Sequence, residues 1–351
     1  MKHTISLIIS VAFLSSYCIF AEEWRTFTNT EGRSFEGRVT HVDAEKNEAT
    51  VINKKTNRIS KISFAILSAA DVTYLRDWKP AERKEDTNDA DSAAASSRLY
   101  PRTKEEIKDR LSEIEKRKAP KGISQKVQDT VNSLNQYRYL CGVPDEVEAD
   151  KEMVEQATDA AQACKKNGGL SHDIGHSTDI CNLANGSDMR SSVQQYIDDF
   201  GPNNKVSRGH RRWCLNPPMG KTGFGEDGAY SAMVSIDRSG KHNMREPWAY
   251  PGKGFFPKKY VHGNAWSLYL TEKAPKYTEL KVEVYELKKR PEKAFSSNEE
   301  IPGKALPVVY ISCYENAINF EPQAEPLADR GIYWVRINGG GVREGYVVEL
   351  Y

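Results

Sequence analysis

His210 lies in the stretch SRGHRRWCLNPPMGKTGFG, between a glycine and two arginines and just before an apolar run. An imidazole in that setting can ligate a metal, serve as a general base, or fill space as a packed ring. Gly209 frees the backbone ahead of it. Trp213, Cys214 and Leu215 read as the start of a buried strand that Pro217-Pro218 stops, with Lys221 to Gly225 as a second short strand. His172 and His176 have the H-x-x-x-H spacing that binds metal on a helix. Here Gly168-Gly169, Asp173 and Gly175 argue for a loop, so His176 is expected at the surface. His242 and His262 sit in polar, glycine-containing loops and read as solvated. No Ser-His-Asp order stands out, and Cys181 and His210 lack a recognisable third member of a nucleophilic set.

What positions these groups begins with the compartment. MKH followed by the apolar run Ile5 to Phe13 and the small residue Ala21 reads as a secretory leader over residues 1–21, cut before Glu22. Cys18 is a poor lipoprotein site, because bulky Tyr17 precedes it. No later stretch is apolar for long enough to span a bilayer, so the mature chain is expected to be secreted or periplasmic. Lys and Arg number 50 against 49 Asp and Glu, a net charge of +1, which creates no field to recruit nucleic acid. Setting Cys18 aside leaves Cys141, Cys164, Cys181, Cys214 and Cys313. An odd set permits at most two internal bridges.

The fold class expected is α+β. From Glu22 to Trp78, the segments WRTF, SFEGRVTHV, EATVIN and RISKISF alternate as short strands. Ser68 then caps a helix carrying Val72, Leu75 and Trp78. Residues 79–121 read as a polar linker followed by a charged, solvated helix whose narrow stripe is Ile107, Leu111 and Ile114. Helical spacing follows at Ile123, Val127, Val131, Leu134 and Tyr137. A second helix has the small-residue face Ala157, Ala160, Ala161 and Cys164 and ends at Asn167-Gly168-Gly169, and a third runs Met189, Val193, Tyr196, Ile197, Phe200. YSAMVSI and AWSLYL are strands. Residues 273–351 read as a further β domain, sandwich-like, with a hairpin at Asn338 to Gly341.

Two stretches resemble known families. Residues 22–78, through W-x-x-F, G-x-V-x-x-V and L-S-x-x-D-x-x-Y-L, resemble the SLA homology domain, which implies a small SH3-like barrel and possible peptide binding. Residues 122–272 resemble the CAP superfamily of cysteine-rich secretory, antigen 5 and pathogenesis-related proteins. LNQYRYLCGVP matches its N-x-x-R-x-x-x-G-hydrophobic-P signature, and A-x-x-A-A, LSH, CNLANG, YIDDF and GHRRW follow in the family's order. The resemblance implies an α-β-α sandwich whose loops gather two histidines and two acids into a cleft. Matched by position, the histidines are His172 and His210, on a loop and a strand end facing each other. One acid is Asp199, and the other falls on Cys181. Tyr196, Asn182 and Arg211 complete the expected cleft.

Three functions follow. The first is an exported module that binds a ligand or cell-envelope partner. The second is a hydrolase that uses His172, His210 and an acid around zinc or another divalent metal. The third is a non-catalytic protein-binding scaffold. A bridge from Cys164 to Cys181 would staple the glycine-rich loop around His172, worth roughly 3 kcal/mol, with Cys141 and Cys214 as a second pair.

Overall fold

A computed structural model describes residues 24–78 and 99–351, apart from residues 45, 55–58, 187, 200, 202, 324–327 and 329. The expected leader, with its cut site and Cys18, and the expected linker over 79–98 lie outside the described residues. The chain forms two compact units divided between Thr87 and Asn88. Helices and small, mainly antiparallel sheets make it a mixed α+β protein, as its periodicities require.

In the first unit β1 (Arg25–Thr28), β2 (Ser34–Asp43), β3 (Glu48–Asn53) and β4 (Ile59–Ser63) form an antiparallel meander in chain order. Alternation along the strands sends Phe27, Val39, Ala49, Val51 and Ile62 into one core. Helix α1 (Ala69–Asp77) covers that core with Leu75, while Ser68 caps the helix by accepting from the Asp71 amide. Asp71 is itself buried and accepts from Thr28 N (2.8 Å), Ser68 Oγ (2.8 Å) and Arg25 (3.0 Å). Burial alone would raise its carboxyl, but these donors outweigh it and hold the group below the usual carboxylate range.

The second unit opens with α2 (Lys104–Glu115) and α3 (Gln125–Leu140). Helix α2 was expected to be solvated. Instead, Ile107 and Leu111 join the main core with α3, and Ile114 is fully buried as well, each worth roughly 2 kcal/mol. The Arg110 guanidinium also grips Asp145 at 2.8 and 3.1 Å. A narrow stripe is sufficient here because it drops into an existing core rather than supporting one.

Beyond α3, β5 (Glu148–Ala149) leads into α4 (Lys151–Asn167), capped by Asp150 and closed by left-handed Gly168. Then β6 (Cys181–Asn185), α5 (Met189–Asp198), α6 (Gly209–Cys214), β7 (Lys221–Thr222), β8 (Phe224–Asp227) and β9 (Tyr230–Val234) follow. Strands β6, β9 and β8 make a three-stranded sheet with helices on both faces. Leu183, Ala232 and Val234 pack with Ala157, Ala160 and Ala161 of α4, while Ala184, Phe224 and Met233 pack with α3 and α5. Helix α4 lies very close to the sheet. A β-carbon at Gly225 would sit 2.2 Å from Thr158 N, so the small-residue face and this glycine are mutually required.

The remaining strands are β10 (Trp248–Tyr250), β11 (Gly254–Phe256), β12 (Trp266–Tyr269), β13 (Lys281–Leu287), β14 (Gly303–Leu306), β15 (Val308–Tyr314), β16 (Ala317–Pro322), β17 (Ile332–Gly339) and β18 (Val342–Leu350). The expected boundary at residues 272/273 divides shared sheets. Trp266 to Tyr269 of β12 pair with Ala317 to Phe320 of β16, and β11 pairs in parallel with β18. One apolar core also runs from α2, α3 and α5 into these strands. The last 79 residues are thus not an appendage but the completing strands of the same unit.

Candidate functional site

The site grows out of the end of α5. Asp199 terminates that helix in the left-handed conformation, φ 45° and ψ 42°, and its amide donates to Gln195 O at 2.8 Å. Non-glycine residues seldom adopt this conformation, and aspartate is among the more tolerant. It places a fully buried carboxylate at the start of α6. There, Oδ2 accepts from the amides of His210 (2.9 Å) and Arg211 (3.4 Å), while Oδ1 faces His210 Nδ1 at 2.9 Å. The N-cap residue, Arg208, supplies no side-chain cap, so the carboxylate of Asp199, nine residues upstream, does that work.

This corrects the sequence reading of the segment. His210 and Trp213 to Cys214 are helical, not the mouth of a strand, and Arg211 is buried rather than lining an open cleft. Arg211 is 1% exposed and lies over the Tyr250 ring at 4.5 Å. Its guanidinium donates to Ile197 O, Asp198 O and Ser267 Oγ. Arg208 donates to Asp199 O at 2.6 Å and pairs with Glu321 at 2.6 Å. Two arginines therefore satisfy the orphaned carbonyls at the end of α5, and Arg211 is unavailable to a ligand.

The same accounting assigns Asn182, Tyr196 and Arg138. Asn182 donates from β6 to His210 O (3.1 Å), and Tyr196 donates from α5 to Asn182 O (3.0 Å). Arg138, fully buried, donates to the carbonyls of Pro144, Cys214 and Asn216 at 2.7 to 3.0 Å. Burial pulls its guanidinium down to about 10, which leaves it cationic at neutral pH. Asn135 exchanges bonds with Val147, 2.8 Å and 3.1 Å. The N-x-x-R signature thus works as a clamp on the loops flanking α3 and α6.

Within this frame the His210 ring is partly exposed, at 23%, and lies 5.5 Å from the Tyr196 ring. A carboxylate at Nδ1 requires the proton on that nitrogen, with Asn204 also 3.3 Å away. The neutral ring then carries its lone pair on Nε2. Such a pair can accept a proton or ligate a metal, with the carboxylate orienting the ring.

His172 does not join it. That residue is exposed, with Nδ1 2.7 Å from Thr178 O, and no hydrogen bond or ring contact among the described residues links it to His210 or Asp199. The described residues contain no group of three or more His, Cys, Asp or Glu arranged for a metal. His176 is an exposed residue facing Asp159 at 3.0 Å. His262 departs from the solvated reading. It is half-buried, 3.1 Å from Tyr137 Oη, and burial, reinforced by Lys258, holds its imidazole below the usual value.

The cysteines also differ from expectation. All five described cysteines are free thiols. Cys164 and Cys181 share the apolar layer between α4 and the sheet, and Cys141 and Cys214 lie in the main core, without either bridge. Burial pushes the Cys181 thiol up to about 12, with Asp179 and Cys164 adding to the effect, so it is a poor metal ligand or nucleophile at neutral pH.

Comparisons with protein-family models, curated proteins and solved structures gave no match.

Proposed function

We propose that the chain is an exported binding module of the CAP type, which holds a ligand or cell-envelope partner through the surface around His210. The observation that carries this reading is the division of labour at α6. Asp199, Arg138, Arg208 and Arg211 are consumed in holding the helix, and His210 Nε2 is presented without a partner among the described residues. Support for the CAP likeness comes from helices on both faces of the β6-β9-β8 sheet and from the clamp made by Asn135 and Arg138. The four-strand meander of the first unit, closed by α1, suits the SH3-like barrel and peptide capture that its resemblance implies.

A second reading keeps the metal-dependent hydrolase, because a carboxylate behind an imidazole is the usual outer partner of a metal ligand. Zinc titration by calorimetry, run on the wild type and on His210→Ala, separates the two. Submillimolar zinc binding that disappears in the variant selects the hydrolase. For the binding reading, an envelope component retained by the wild type must be lost from a folded His210→Ala. Equal retention would sink it.

A further inference from the structure

The opposite face of α6 carries a separate feature. Residues two positions apart on a helix point roughly 200° apart, so Arg212 leaves the helix away from His210. It lines a cavity of about 500 Å³, within the range of small-molecule sites. Pro217, Met244, Trp248 and Leu270 form apolar wall, and Glu272, Lys273 and Glu315 are the charged residues beside Arg212.

Arg212 is held but not neutralised. Its guanidinium carbon lies 4.7 Å from the Trp213 ring centroid and 5.5 Å from that of Tyr314, which fixes the plane of the fork. No carboxylate pairs with it among the described residues, whereas Arg208 and Arg110 each have one. Its Nε is a buried atom without a hydrogen-bond partner, and so is the indole Nε1 of Trp248, a residue only 6% exposed. Neither atom is open to the cavity, so a ligand there is met by the terminal nitrogens of the Arg212 fork.

We propose that this cavity binds a small monocarboxylate with an apolar body, its carboxylate taken by Arg212. The planar guanidinium fork matches a carboxylate's two oxygens. The apolar wall requires more than an inorganic ion. Glu272 and Glu315 offset Arg212 and Lys273 at the same cavity, so no surplus of positive charge is present to hold a doubly charged group such as a phosphate. This site is independent of the His210 reading, since a different face of α6 builds it.

The test uses the full chain with ¹⁵N-labelled tryptophan and three probes: N-acetylphenylalanine, its carboxamide, and inorganic phosphate. The expected result is a saturable shift of the Trp213 and Trp248 indole signals with the acid. Binding should be at least about tenfold weaker for the carboxamide and for Arg212→Gln. Tyr314→Leu, which frees the guanidinium without removing it, should weaken binding severalfold, and unperturbed signals from the other indoles report that both variants are folded. Equal binding of acid and carboxamide, tighter binding of phosphate, an undiminished Arg212→Gln, or no shift at millimolar acid would each overturn the proposal.

Discussion

Each unit is organised around a buried aspartate, and the two have opposite consequences. Asp71 accepts from a backbone amide, a hydroxyl and Arg25, and its guanidinium partner has no second chemistry to offer. Asp199 accepts from two backbone amides and an imidazole, and that partner keeps an unused nitrogen. Both carboxylates order a helix terminus. Only the second leaves reactive capacity over once the structure is satisfied. A buried acid is therefore a poor pointer to function by itself, and the leftover valence of its partner is a better one.

The severest way to break this comparison is Asp199→Ala. It strands two helix-terminal amides and the imidazole proton, and should cost the second unit about 4 kcal/mol in urea denaturation. Asp71→Ala should cost the first unit about 3 kcal/mol, through an orphaned Thr28 amide and the lost bonds to Ser68 Oγ and Arg25. A first-unit loss accompanied by an equal loss in the second would contradict the division into two units.

Acidification sharpens the contrast because an acid in each unit shifts in the opposite sense. Burial raises Asp198 from about 3.8 to about 6, although Arg211 opposes it. Between those values the folded state binds the extra proton, so its contribution to stability falls as pH rises from about 3.8 to about 6. Asp198→Asn should remove that slope and add on the order of 2 kcal/mol at neutral pH. Asp71, held below its ordinary value, contributes stability above about 3.8 that is lost as pH falls through its folded value. Thermal melts of each unit across this window would reveal a shared slope if the assignment were mistaken.

The smallest stability effect belongs to the most chemical residue. His210→Gln should cost about 1 kcal/mol or less, since one partly exposed hydrogen bond is exchanged for another. Asp199→Asn should move the His210 proton instead. With the amide oxygen kept on the helix amides, its NH₂ faces Nδ1, which must then accept. Imidazole ¹⁵N shifts should report protonation at Nε2, and an unchanged tautomer would refute the orientation of the pair.

Much of this was legible in the chain. Helices α3, α4 and α5 announce themselves by 3.6-residue spacing, and Ser68, Gly168 and the Asn338 to Gly341 turn act where local chemistry puts them. Helix α6 was misread because six residues are too few for periodicity to separate helix from strand, and its cap comes from Asp199, outside any local window. The roles of Arg138, Arg208 and Arg211 were hidden because most of their partners are backbone carbonyls, which have no sequence signature. The pairing of His210 with Asp199 was reachable through the CAP resemblance, which named both residues, but the resemblance also paired His210 with His172.

The parallel seam between β11 and β18 has a consequence for the order of synthesis. Glu349 beside that seam is bound by Tyr100 at 3.1 Å and Arg290 at 2.6 Å, so groups some 250 positions apart meet at one carboxylate. A growing chain can close the first unit after its opening eighty residues, but the five-stranded sheet of the second, in which β18 lies between β11 and β17, is incomplete until Val342 to Leu350 emerges. A premature stop ahead of that segment removes Tyr346, Val348 and Leu350 from the main core and Val347 from the smaller one beside it, a state that quality-control proteases read as unfinished.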